Sequence, residues 1–280
     1  MKKILLPTDF SDVSINAYNY ALHIAEQFEA EVRLFFVYCY PMIDPHMPQS
    51  MILSMDQAEE AEAMKKFKEH EALLPHVVSG RNLDKVKVTH TLRTGFLIQE
   101  ILELAKKEEF DMIIMGTHGA SGVSEYVLGS NTAEIMQKAE VPVLAIPGDA
   151  DYSKIDRIVY ATDFDKSDFK SMGSLLKLAR KLDAKVTSLH IKTEKGINED
   201  VKLDDWQEYF WSEVKSGIVK FAMIEDEDVM HGLNRYIEEN DVDMIAMLTH
   251  KKSLTEKIFS RSMTKKMAYH SEVPILAFHE

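Results

Sequence analysis

The chain has 280 residues, 45% of them hydrophobic, which exceeds the usual size of one domain and is ample for more than one core. Its formal net charge of −13 argues against nucleic acid as a partner, since that binding draws on clustered Lys and Arg, and no run approaches the roughly 20 apolar residues that span a bilayer. Residues 4–7 are too short for a signal-peptide core and Asp9 follows at once, while the single cysteine, Cys39, rules out an intramolecular disulfide; both suit a cytoplasmic protein.

In the first half, residues 3–6 read as a strand, and Ser11 or Asp12 can cap a helix whose apolar positions run through Ala17, Ala21, Ile24 and Ala25. A second strand covers 32–38. A loop bearing Met42, Met47, Met51 and Met55 follows over 41–55, with gap-filling packing as its plainer role, and then a charged helix over 57–74 with i,i+4 pairs such as Glu62 to Lys66. Next come a strand at 86–92, a helix at 96–107 after Gly95, a strand at 111–115, a helix at 132–139 and a strand at 141–146.

The second half repeats this order. Lys3 to Phe10 (KILLPTDF) is echoed by Arg157 to Phe164 (RIVYATDF), Asp111 to His118 (DMIIMGTH) by Asp243 to His250 (DMIAMLTH), and Glu140 to Ile146 (EVPVLAI) by Glu272 to Phe278 (EVPILAF). Its expected elements are a strand at 157–160, a helix ending at 182, a strand at 185–191, a shorter helix at 205–214, a strand at 218–224, a helix at 228–239, a strand at 244–248, a helix at 257–270 and a strand at 274–278. Strands alternating with helices imply parallel pairing through right-handed crossovers. The expected fold class is therefore α/β, two tandem doubly wound parallel-sheet domains, 1–148 and 154–280, divided at the polar stretch 148–153. Trp206 and Trp211 are expected to cover the second core.

The stretch most suited to chemistry is Asp111 to Pro147. The apolar run Met112 to Met115 meets Gly116 and Gly119, nine residues pass, and Gly129-Ser130-Asn131 opens a helix. Glycines let a backbone approach a ligand closely, and a helix N-terminus presents unpaired N–H groups and a positive dipole, so this is the layout of an anion site. Three segments converge there: Pro7, Thr8 and Asp9 after the first strand, Val37 and Tyr38 after the second, and residues 116–131 after the fourth.

Gly-x2-Gly-x9-Gly-Ser-Asn at a strand-to-helix junction, followed by Val141-Pro142-Val143-Leu144, resembles the nucleotide-binding signature of the universal stress protein family in its ATP-binding branch. The likeness covers nearly the whole chain as two tandem domains of the Rossmann-like, adenine nucleotide alpha hydrolase-like kind. It implies that the first domain binds ATP, or the related AMP or ADP, and that the protein acts as a nucleotide-responsive regulatory or protective factor. It implies further that Asp9 lies by the ribose or the adenine edge, that the Val37 backbone contacts adenine, that the loop with Gly116, Gly119 and Gly129 holds the phosphates together with Ser130 and Asn131, and that Pro7, Thr8 and Met115 belong to the same nucleotide-binding set. Asp9 has a plainer alternative as a helix cap, and His118, which recurs as His250, reads as structural rather than as a general base.

In the second copy Gly116 becomes Leu248, Gly119 Lys251, Gly129 Arg261 and Asn131 Met263, leaving Ser262. This copy is expected to be a degenerate partner, with Lys251, Lys252, Arg261, Lys265 and Lys266 forming a solvated basic face. No Walker lysine, Gly-x-Ser-x-Gly elbow or activated nucleophile is evident, so no catalytic residue is assigned; neither is a metal site, although Mg²⁺ can accompany the phosphates. A last expectation concerns the two final strands. As apolar edges they need cover, and antiparallel pairing would make the chain its own pseudo-dimer, with Leu144→Pro and Leu276→Pro removing ladder donors and other surfaces left for a homodimer.

Overall fold

The computed structural model describes residues 1–38, 47–77, 85–117, 128–150, 152, 154–193, 199–249 and 273–279, apart from the side chains of 70–77, 167 and 199–202. Cys39, Met42, His118, Gly119, His250, the expected helix at 257–270 and the basic series from Lys251 to Lys266 lie outside the described residues. In the first half β1 (Lys3–Pro7), α1 (Asp12–Phe28), β2 (Glu31–Tyr38), α2 (Gln49–Val77), β3 (Val88–Thr94), α3 (Leu97–Lys107), β4 (Met112–Gly116), α4 (Ser130–Lys138) and β5 (Val143–Ile146) follow in order. The second half contains β6 (Arg157–Ala161), a 3-10 turn (Lys166–Asp168), α5 (Phe169–Leu182), β7 (Lys185–Lys192), α6 (Glu199–Tyr209), α7 (Trp211–Lys215), β8 (Val219–Glu225), α8 (Val229–Glu239), β9 (Met244–Thr249) and β10 (Ile275–His279).

Both halves form one ten-stranded sheet in the order β3-β2-β1-β4-β5-β10-β9-β6-β7-β8. Pairing is parallel within each half, and only β5 and β10 meet antiparallel, with Leu144 opposite Leu276, Ala145 opposite Ile275 and Val143 opposite Ala277. Leu276 is the repeat counterpart of Leu144, so this register is symmetric about that pair, as a two-fold junction requires. The expected proline test needs correction. The carbonyls of Pro142 and Ile146 accept from Ile113 of β4 and from Thr117 just after it, and that of Pro274 accepts from Ile245 of β9. Backbone direction alternates along a strand, so Val143, Ala145, Ile275 and Ala277 face the junction. Leu144 and Leu276 face the parallel ladders inside their own copies.

The repeat is written into the backbone as well. Phe10 and Phe164 (φ 63° and 53°) follow the first strand of each copy, and Glu29 and Asp183 (53° and 57°) and Glu109 and Asp241 (54° and 45°) follow equivalent helices, all left-handed. Such residues turn the chain sharply at a helix end or strand exit, and their recurrence marks the same turns in both halves. Ser11 caps α1 by accepting from the Ser14 N–H.

Alternate residues of the central strands serve opposite faces. On one face Ile4, Leu6, Ile114 and Leu144 pack with α1 and continue into Ile158, Tyr160, Leu276 and Trp206. On the other, Leu5, Phe35, Ile113, Met115 and Ala145 pack beneath α3 and α4, together with Met247 and Ile275 from the second half. Trp206 is fully buried in the α1-side core, but Trp211 is 64% exposed and does not cover the second core. The loop expected over 41–55 is also shorter than its sequence suggested. Helix α2 begins at Gln49, directly after Pro48, whose carbonyl accepts from the Met51 and Ile52 N–H groups, so Met51 and Met55 are helical.

Segment 147–150, between the copies, is tied down. The Asn16 side-chain amide donates to the carbonyls of Pro147, Gly148 and Ala150 at 2.9, 3.3 and 2.7 Å, and Tyr152 stacks on His23 with ring centroids 3.7 Å apart.

Candidate functional site

Strands β1 and β4 are neighbours at the centre of the first half, yet the helix that leaves β1 packs on one face and the helix that enters β4 on the other. This is the switch point of an open parallel sheet, where a crevice opens beyond the carboxyl ends of the strands. Pro7 closes β1, and the Thr8 N–H still donates to the Phe35 carbonyl at 2.9 Å. Thr8 Oγ1 then accepts from the Phe10 N–H and donates to Ser14 Oγ, both at 3.1 Å, which folds the strand exit back onto the first turn of α1.

Asp9 is exposed at this exit and does not cap the helix itself. Its Oδ1 accepts from the Ser11 N–H at 3.1 Å and from Ser11 Oγ at 2.6 Å, holding the residue that does cap it. Val37 lies farther along β2. The Phe35 carbonyl faces β1 and the Tyr38 carbonyl faces β3, where Gly95 donates to it at 3.2 Å, so by alternation the Val37 N–H and C=O also face the β1 side. Strand β1 has ended by that level, which directs both groups toward the crevice.

Met115 is buried in the α3/α4 face, where half-buried Val37, Leu97 and Leu128 pack against the same cluster. Gly116 is buried too, for a reason that the spacing did not reveal. A β-carbon there would stand 2.7 Å from Val13 Cγ1 and 3.3 Å from the Val13 main chain. The glycine lets the first turn of α1 press against the end of β4. In the second copy both partners change together in sequence: Leu248 stands for Gly116, and Ser167 for Val13.

The loop after β4 departs at Thr117 and returns at Gly129, whose N–H donates to the Thr117 carbonyl at 2.6 Å. Gly129 is the N-cap of α4 with an ordinary φ of −62°, and no side chain caps the helix from that position. Ser130 and Asn131 are exposed in the first turn, and buried Thr132 anchors it by donating from Oγ1 to the Gly116 carbonyl at 2.9 Å. An anchored helix start with exposed hydroxyl and amide side chains, on a cap position that offers its N–H groups no side-chain acceptor, can receive an anion. The structure thus brings Pro7, Thr8, Asp9, Val37, Met115, Gly116, Gly129, Ser130 and Asn131 to one end of the sheet. Among the described residues no cluster of three or more His, Cys, Asp or Glu is arranged to hold a metal ion.

The corresponding strand end of the second copy is filled differently. Thr162 Oγ1 donates to Asp168 Oδ2 at 2.7 Å, and the Phe164 N–H donates to Thr162 Oγ1 at 2.9 Å. His190 Nδ1 donates to the Thr162 carbonyl at 2.8 Å. Burial, first, and the nearby Asp168 charge hold the Tyr160 hydroxyl in its protonated form, well above the usual tyrosine range. Tyr160, Asp168 and His190 stand where the first copy has Leu6, Ser14 and Phe36, so a buried polar network occupies this strand end.

Fold and strand-end geometry define a tandem doubly wound α/β protein. The universal stress protein family model matches residues 1–147 and again 154–279, and the chain belongs to that family. Universal stress protein MJ0531 of Methanocaldococcus jannaschii is 34% identical over 148 residues, 52% of this chain and 81% of its own length. Universal stress protein Slr1230 of a Synechocystis species is 24% identical over 300 residues, covering 99% of this chain and all of its own. The crystal structure of a universal stress protein from Archaeoglobus fulgidus superposes with a TM-score of 0.72 at 20% identity, over 99% of this chain and 96% of that one, and shares the fold.

Proposed function

We propose that the first copy binds ATP, or a related adenine nucleotide, and that the protein is a cytoplasmic stress-response factor whose regulatory or protective action follows nucleotide occupancy. The observation that carries this reading is the start of α4: Thr132 is tied to Gly116, Gly129 to Thr117, and Ser130 and Asn131 stand exposed beside a cap position without a side-chain acceptor. Phosphate oxygens would take those N–H groups, Asp9 would accept from ribose hydroxyls, and the Val37 main chain would read the adenine edge. Gly119 belongs to the same proposed set by its place in the signature. Mg²⁺ would bind mainly through phosphate oxygens and water, as it does where protein carboxylates are few. The second copy, with Arg261 and Leu248 in place of glycines, binds no nucleotide in this reading and serves as a structural partner.

Calorimetry with ATP tests this directly. About one site per chain is expected, and Gly129→Arg, which imports the second copy's residue, should abolish it; two equivalent sites or unchanged binding in the variant would overturn the assignment. Hydrolysis, if present, should fall far below the roughly 1–10³ s⁻¹ of ordinary enzymes, because the sequence carries no Walker lysine, Gly-x-Ser-x-Gly elbow or evident activated nucleophile.

A further inference from the structure

The two β–α junctions at the sheet edges are counterparts in the repeat, and they are built in opposite ways. In the second copy Asp228 is the N-cap of α8, and its carboxylate accepts from the N–H groups of Met230 and His231 at 2.8 and 3.1 Å. In the first copy the same place, the N-cap of α3, is held by Phe96, which makes no capping hydrogen bond. Phe96 is also 80% exposed, more than any other large hydrophobic side chain among the described residues. A residue that gives up both a helix cap and the burial of an aromatic ring breaks two local rules at once, and such breaks concentrate at functional positions.

The surroundings of Phe96 are firmly made. Gly95 has φ 151°, and a β-carbon on it would come within 2.7 Å of Glu100 Oε1, so only glycine fits this turn. Glu100 is in turn paired with Arg93 at 3.2 Å, with both side chains largely buried. The Gly95 N–H donates to the Tyr38 carbonyl, which sets Phe96 just past the end of β2, beside the strand end where the Val37 main chain faces the crevice. Leu97, the next residue, packs into the same cluster as Val37 and Met115. The exposed ring therefore belongs to the copy that kept the glycine series in sequence, and it lies at the same carboxyl end of the sheet as the Val37 main chain, one strand over from it.

We infer that Phe96 is an aromatic platform on which the purine ring of the bound nucleotide stacks, and that it selects for the base independently of the phosphates. This rests on the nucleotide reading of the same site. Stacking on an aromatic face requires only a flat π-system, and the alanine-scanned contribution of such a contact in nucleic-acid sites corresponds to roughly 5- to 150-fold in affinity.

The test compares ATP binding by the full chain and by Phe96→Asn, Phe96→Leu and Phe96→Trp. Asn supplies the missing helix cap, so Phe96→Asn should raise Tm by about 2 °C while weakening ATP about 10-fold. Leu keeps an apolar side chain without a flat face and should weaken ATP similarly. Trp should restore affinity, and its emission should be quenched on adding ATP. Unchanged ATP affinity in both the Asn and the Leu variants would overturn the platform and leave the nucleotide site standing; equal weakening in all three, Trp included, would also overturn it. A wild-type chain that binds no ATP would overturn both readings.

Discussion

The contact between Gly116 and Val13 sets how closely α1 can approach the sheet at the crevice. Gly116→Leu should destabilise the protein by about 1–3 kcal/mol through overpacking, because a main-chain atom of Val13, and not only its side chain, stands in the way. Adding Val13→Ser, which reproduces the second copy's pair, should recover part of that loss. A double-mutant cycle by urea unfolding reads the coupling, and strictly additive losses would show that the two residues do not meet. Beyond edge strand β8, burial pushes the Asp226 carboxyl up, but the Asp228 amide, the His231 ring and the Arg235 guanidinium outweigh it and hold its pKa below the usual 3.8. A depressed folded-state pKa contributes stability that is present above the unfolded value and lost as pH falls through the folded one. Acid unfolding curves should therefore lose stability less steeply below about pH 4 in Asp226→Asn than in the wild type. Parallel curves would exclude a role for this carboxylate.

Helix starts show how one element takes different duties in the two copies. Ser11 caps α1 and Asp228 caps α8, while Gly129 and Phe96 leave α4 and α3 without a capping side chain. In the second copy α5 and α7 also start without a side-chain cap; α3 and α4 both begin at the carboxyl ends of the first copy's strands, where a ligand rather than a side chain can meet the N–H groups. Asp228→Ala should cost about 1 kcal/mol in urea unfolding, with no effect on ATP binding. A loss of ATP affinity in this variant would show that the second copy takes part in the site. Helix α2 teaches a different lesson about elements. Pro48 and the Met, Leu, Gln and Glu residues after it start a helix well before the charged segment that first suggests one, because proline is favoured at a helix start and those residues are good helix formers.

Across the whole molecule, the sheet is continuous through β5 and β10, and the α1-side core runs from Ile4 through Leu144 and Leu276 to Trp206. Two copies that share a core and a ladder should unfold together. Trp206 and Trp211 both lie in the second copy, so fluorescence follows that half while far-UV circular dichroism follows both. The two urea transitions should coincide; a separated fluorescence transition would mean that the halves are energetically independent. Asn16 and Tyr152 tie residues 147–150 and 152 to α1, whose N-terminal turn borders the crevice, so the described residues between the copies are part of the packed structure.

Periodicity and repetition determined the order of the described strands and most of the described helices, the doubling of the fold, and the pairing of the two final strands, because these depend on short-range pattern and on an apolar edge that has to be covered; the one helix expected at 205–214 is instead two, α6 and α7, broken at Phe210. The meeting of Pro7, Thr8 and Asp9 with Val37, Gly116 and Gly129 at one end of the sheet was likewise legible, since parallel topology places all strand-to-helix exits on one side. Only the tertiary structure decided which atoms those residues meet. Gly116 faces Val13, about a hundred residues away, and no local pattern encodes that contact. The donors that cross the β5–β10 junction belong to the residues flanking Leu144 and Leu276, since backbone direction depends on which neighbour each strand faces. Burial of Trp206 and exposure of Trp211 and Phe96 were hidden for the same reason: composition marks a side chain as apolar, but packing decides whether another element covers it.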